Sequence, residues 1–177
     1  FAKVIIGHFA ATVITHIFHL LTFYDNIKQM EFKVKLTGKR EEAKETKTFL
    51  FEKPSGFSYI AGQYGYFTLP RLTVPDERGD TRHFTLSSSP TEDFISFTTR
   101  MRPQSGFKRT LDALDFGAEV TLRGPQGPFV LEDEKTTTLQ VMIAGGIGVT
   151  PYRSIIKYVA DKNLSVPIHL INSNSTP

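Results

Sequence analysis

The chain has 177 residues, 40% of them hydrophobic, and 21 lysines and arginines against 18 aspartates and glutamates give a net charge of +3. That length and apolar share support one large or two small folded domains rather than a disordered chain. The absence of cysteine excludes disulfides, thiolate zinc sites and iron–sulfur clusters within the chain, so redox chemistry would need a bound organic cofactor, and the scattered bases argue against a nucleic-acid partner.

The sequence opens at Phe1 and stops at Pro177 just after an apolar run, which reads as a piece of a longer protein. From Val4 to Tyr24 no Asp, Glu, Lys or Arg occurs. About 20 such residues suffice to cross a bilayer, so a transmembrane helix is predicted within residues 1–27. Lys28, Lys33, Lys35, Lys39 and Arg40 follow. By the positive-inside bias they place the rest of the chain on the cytoplasmic side. The run is too long for a signal peptide and lacks a small-residue cleavage site.

On a helix, His8, Thr12, Thr15, His16 and His19 share one face. Either they hydrogen-bond to neighbouring helices, or His8 or His19 ligates haem in a multi-helix electron-transfer domain. The two lie about 16 Å apart along the axis and cannot share one iron. A buried soluble helix is the third alternative, and no metal ligand is assigned.

Met30 to Thr37, "MEFKVKLT", alternates apolar and polar residues as a half-buried strand does. Similar runs recur at Thr46–Phe51, Gly65–Leu69, Arg82–Leu86, Phe94–Met101 and Glu119–Leu122. Separated by Gly, Pro, Asp and Ser clusters, they predict an antiparallel barrel or sandwich, with Arg71–Asp80 an exposed polar loop. Within "RHFTLSSSP", Arg82, Phe84 and Leu86 point to one face and His83, Thr85 and Ser87 to the other. A helix is predicted at Ser105–Leu114, with Ser105 as the cap and Phe107, Leu111 and Leu114 as its apolar stripe. Lys108 and Arg109 sit in its first turn, where the helix dipole disfavours cations unless an anion binds there. They serve equally well as two solvated surface cations.

The period then changes. Leu139–Ala144 is a continuous apolar run predicted to be a strand buried on both faces, "GGIGVTP" follows, and an amphipathic helix runs from Pro151 to about Lys162. Val166–Ile171 is a second buried strand, completing a β-α-β unit whose crossover requires parallel strands. Gly145, Gly146 and Gly148 allow close approach to a ligand, and Thr150 and Pro151 suit the N-cap and first helical position. Such a helix start can receive an anion, although glycine-rich turns also arise from packing alone.

A barrel followed by a glycine-rich β-α-β unit resembles the ferredoxin–NADP⁺ reductase-like flavin oxidoreductases from about Met30 onward. "AGQYGYFTLP", "RHFTLSSSP", "SGFKRTL", "GPQGPF" and "AGGIGVTPYRS" are similar, in order, to that family's motifs. The resemblance implies a β plus α/β architecture: an N-terminal helix, an antiparallel Greek-key FAD-binding barrel over residues 28–134, and the truncated start of a parallel NAD(P)-binding domain over residues 135–177. It implies FAD and NAD(P)H as cofactors. Arg82 is expected to pair with the flavin diphosphate, Phe84 to lie against the flavin or its ribityl chain, and Thr85, the catalytic candidate, to place its hydroxyl near flavin N5. His83, Ser105, Phe107, Lys108 and Arg109 complete the expected flavin site. Gly145, Gly146, Gly148, Thr150 and Pro151 are expected to hold the nicotinamide nucleotide.

Three departures are visible. Phe84 stands where tyrosine is usual, Lys108 where serine is common, and Ser175 where a 2′-phosphate-binding base is frequent, which leans toward NADH. The implied function is hydride transfer from NAD(P)H to FAD and onward electron transfer, with a haem or flavin domain in the membrane as the expected acceptor. A flavin electron-transfer domain without nicotinamide use and a non-flavin barrel binding module are the alternatives.

Overall fold

The computed structural model describes residues 30–174. The predicted transmembrane helix, with His8, His16 and His19, lies outside the described residues, as does Ser175. Among the described residues no helix is long and apolar enough to cross a membrane.

Six strands form one antiparallel sheet: β1 (Glu31–Ala43), β2 (Thr46–Glu52), β3 (Tyr64–Thr68), β4 (Thr81–Thr85), β5 (Phe94–Arg100) and β6 (Glu119–Gln126). Their order is β4-β3-β6-β1-β2-β5, and every neighbouring pair is antiparallel. The sheet rolls until its two edges meet, where the Ser87 N–H donates to the Ser96 carbonyl at 2.8 Å. Closure of this kind removes the unpaired edges of an open sheet. The alternation read in the sequence supplies the interior. Phe49, Phe51, Phe67 and Phe97 are fully buried, with Phe67 and Phe97 centroids 4.5 Å apart. β1 runs six residues beyond its predicted end at Thr37, because its polar second half pairs with β2 from Lys39↔Phe49 to Ala43↔Thr46.

Helix α1 (Gly106–Ala113) plugs the barrel with Phe107 and Leu111, both fully buried, and Ser105 is its N-cap as predicted. The loop Arg71–Asp80 is polar and mostly exposed, as expected, and it lies as a strap along α1: Thr110 Oγ1 accepts from the Thr73 and Val74 amides at 3.1 and 3.4 Å. A Cβ on Gly106 would come within 2.2 Å of the Pro75 carbonyl oxygen, so only glycine permits this approach.

The last part is the expected β-α-β unit. Strands β7 (Gln140–Gly145) and β8 (Ile168–Ser173) pair in parallel, and a short 3-10 turn (Gly146–Val149) leads into α2 (Thr150–Asp161). β7 is not buried on both faces. Met142 packs under α2 and Ala144 is buried, whereas Val141 and Ile143 are 55% and 68% exposed, since among the described residues one helix covers a single face of this two-stranded sheet. Thr150 is not the N-cap either. The 3-10 turn already satisfies the backbone at the entry, so Thr150 is the first helical residue and its hydroxyl donates back to the Ile147 carbonyl at 3.1 Å.

Candidate functional site

The serine turn after β4 joins the two halves of the fold. Ser154 of α2 donates to the Ser88 carbonyl at 2.6 Å, and Tyr59 donates to the same oxygen at 2.9 Å. Arg153 donates to the Ser87 carbonyl at 3.0 Å and forks onto Glu92, whose other contact is the Ser89 amide at 2.7 Å. The Arg153 partner and the amide hold the Glu92 carboxyl below its ordinary pKa, against the opposing pull of burial. Burial pushes the Tyr59 hydroxyl well above the usual range, so it stays a neutral donor.

This seam leaves a cleft of about 620 Å³ between barrel and β-α-β unit. Ser87, Ser96, Thr98 and Arg100 line one wall, and Gly146 and Thr150 the other. A Cβ added at Gly145 or Gly148 meets nothing within 4 Å. Packing therefore does not require glycine at these two positions, and the turn presents bare backbone to the open space.

A second feature surrounds the start of α1. Lys108 is half-buried and donates to the Arg100 carbonyl at 2.6 Å. Burial lowers its pKa, and the positive charges of Arg102, Arg78, Arg82 and Arg100 lower it further. Five cations thus converge where α1 presents its N–H groups, an arrangement that favours a polyanion such as a diphosphate. Arg82 is 8% exposed. It lies over the Phe107 ring, donates to the carbonyls of Arg78, Gly79 and Thr81, and pairs with Asp76 at 2.5 Å. Asp76 also accepts from the Ser105 hydroxyl and the Phe107 amide, each at 2.9 Å. These donors, first the Phe107 amide, hold its carboxyl far below the ordinary value.

The structure thus brings Arg82, Ser105, Phe107 and Lys108 together, and separately places Gly146 and Thr150 on the cleft wall, with Gly145, Gly148 and Pro151 in the same turn and helix start. It does not gather the remaining candidates with them. His83 faces outward between Tyr64 and Tyr66, at 5.6 and 5.8 Å. Thr85 pairs across from Tyr64, and it is Ser87, two residues on, that lines the cleft. Phe84 stacks flat on Phe97, 4.1 Å between centroids and 4° between planes. Arg109 lines a different groove, with Arg102 and Asp112. Asp76, Glu92, Arg100 and Arg153 went unassigned in the sequence. Asp76 carried a signal there as the acidic start of the turn "DERG", and Arg153 stood inside "AGGIGVTPYRS".

The described residues thus form a closed antiparallel barrel with a cation-rich plug helix, facing a glycine turn across a cleft. Residues 33–131 match the model of the oxidoreductase FAD-binding domain family. The chain belongs to that family, whose cofactor is FAD.

The glycine betaine monooxygenase reductase subunit of Chromohalobacter salexigens is 30% identical over 141 residues, 77% of this chain and 37% of the relative. The toluate 1,2-dioxygenase electron transfer component of Pseudomonas putida is 31% identical over 115 residues, 64% and 32% of the two chains. The chain spans about a third of the length of these curated relatives. In fold it resembles a ferredoxin NADP⁺ reductase from Neisseria gonorrhoeae with bound FAD and NADP, with a TM-score of 0.69 at 19% identity over 83% of this chain and 58% of that one.

Proposed function

We propose that this chain is the cofactor-binding part of an NAD(P)H-dependent flavoprotein reductase that passes electrons to a separate acceptor. The observation that carries the reading is the cleft: one wall holds the end of the "RHFTLSSSP" segment at Ser87, and the opposite wall is the glycine turn and helix start at Gly146, Ile147, Val149 and Thr150. The five cations around Lys108 fit the FAD diphosphate by chemistry and charge. When bound, the flavin takes hydride from the nicotinamide and releases electrons singly, while the protein supplies position and field.

In this reading residues 28–134 bind FAD, with Lys108, Ser105 and Arg82 drawing the phosphates and Ser87 on the wall of the cleft. Residues 135–177 open the NAD(P)-binding domain, whose Gly145–Pro151 turn receives the dinucleotide. The names of the relatives, a reductase subunit and an electron transfer component of oxygenases, support a protein acceptor. The apolar residues 1–27 and the bases after them support a membrane location with the flavin part facing the cytoplasm and a haem or flavin membrane domain as acceptor.

Anaerobic titration of the FAD-loaded full chain with NADH and NADPH tests the reading. The yellow flavin band is expected to bleach with one nucleotide equivalent. A band that stays oxidised would leave a flavin domain with no nicotinamide partner.

A further inference from the structure

Asp76 occupies the place that an incoming anion needs. Its two carboxylate oxygens take four donors: the Arg82 guanidinium at 2.5 Å and the Arg78 amide at 3.0 Å on Oδ1, and the Ser105 hydroxyl and Phe107 amide at 2.9 Å on Oδ2. A guanidinium, a hydroxyl and a free helix N–H are the donors that bind phosphate groups elsewhere. The side chains of Asp76 and Arg82 are 7% and 9% exposed, so the pair is shut off from solvent. The strap carrying Asp76 covers the same spot with backbone. The Val74 and Pro75 carbonyl oxygens lie 2.5 and 2.2 Å from where a Gly106 Cβ would stand. No phosphate can reach the Phe107 amide while this segment is in place.

The charge count around it is unbalanced. Among the described residues Asp76 pairs with Arg82 alone, while burial first and then the charges of Arg102, Arg78, Arg82 and Arg100 lower the Lys108 pKa at the start of the same helix. A diphosphate carries more negative charge than one carboxylate and can engage more of these donors.

We infer that Asp76 is an internal anion that holds the phosphate cradle closed, and that the strap Arg71–Asp80 swings away from α1 when a flavin diphosphate takes its place. The inference rests on the flavin reading above but concerns the cradle alone. Asp76 thereby sets cofactor affinity, because the apparent dissociation constant rises as the fraction of molecules with the strap open falls. Thr110, which anchors Thr73 and Val74 without touching Asp76, is the second latch.

Hydrogen exchange on the full chain, with inorganic pyrophosphate and with FAD, tests this. Pyrophosphate is expected to speed exchange of the Thr73, Val74 and Arg78 amides, and FAD to do the same. In titrations followed by flavin fluorescence, Asp76→Asn is expected to bind FAD about tenfold more tightly, and Thr110→Val to shift affinity the same way by a smaller factor. A residue that merely braces Arg82 predicts the opposite sign, weaker binding in Asp76→Asn. That result, or pyrophosphate leaving the strap amides unchanged, overturns the inference. If pyrophosphate opens the strap while FAD never binds, the inference stands and the flavin reading fails. If FAD binds with the strap still protected, the flavin reading stands and the inference fails.

Discussion

At the scale of single residues, the two most constrained side chains are Phe97 and Arg82. Phe97 touches Phe49, Phe51, Phe67 and Phe84 and is fully buried. Phe97→Ala is expected to lower stability by about 4 kcal/mol, read by urea denaturation, since the stacked rings around it cannot collapse into the gap. Arg82→Ala leaves the Asp76 carboxylate buried without its ion pair and should cost about 3 kcal/mol, well beyond any effect of the exposed Arg71→Ala. Asp76 also makes stability depend on pH. Its folded pKa is depressed, so its contribution is complete above the ordinary carboxylate range and is lost as pH falls toward the folded value. Thermal midpoints between pH 6 and pH 3 should therefore drop more steeply in the wild type than in Asp76→Asn, and parallel curves would show that Asp76 is not the group responsible. None of these pairings was legible beforehand. Alternation put Arg82 on one face with Phe84 and Leu86, but that Asp76 meets a helix start 29 residues away depends on the path of the strap, which local pattern does not encode.

At the scale of elements, periodicity was sufficient wherever an element buries one face against its neighbour. The strands from Thr46 to Phe51 and from Phe94 to Met101, and the helix on Phe107 and Leu111, stand within two residues of their predicted ends. In the apolar run before "GGIG", Met142 and Ala144 are buried while Val141 and Ile143 are exposed, because among the described residues only α2 lies against this sheet. How α2 docks was hidden: Ser154 and Arg153 reach the barrel through carbonyl oxygens of Ser88 and Ser87, and backbone acceptors leave no trace in composition. Ser154 is fully buried, so Ser154→Ala should cost about 1 kcal/mol. Glu92→Gln should cost less than about 1 kcal/mol, because Arg153 is 42% exposed and solvent screens the pair. Both substitutions are expected to speed amide exchange in α2 while leaving the strands from Glu31 to Glu52 unchanged. Uniform loss of protection would mean that α2 and the barrel unfold as one unit.

At the scale of the whole molecule, the order of the pieces was the legible part, because five short motifs in sequence constrain a fold more than any one does. Across the seam Ala61 and Leu131 pack on the cluster of Met142, Ile155, Val159 and Val166, Phe129 meets Tyr152 edge to face, and the serine turn adds its hydrogen bonds. A cofactor that bears on the cation cluster around Lys108 while filling the cleft would add contacts on both sides of that seam. Binding to the folded state alone stabilises it by about 2.7 kcal/mol at a hundredfold excess over the dissociation constant. For a chain of this size, that corresponds to a rise in thermal midpoint of about 5–10 °C. FAD is therefore expected to raise the midpoint by this amount, and inorganic pyrophosphate by less, since it engages the cations without reaching the cleft. Lys108→Ala with Arg100→Ala should remove most of both shifts. Should FAD raise the midpoint equally in that double variant, the phosphates would have to be held elsewhere, and the convergence of cations at α1 would be a property of the fold rather than of its ligand.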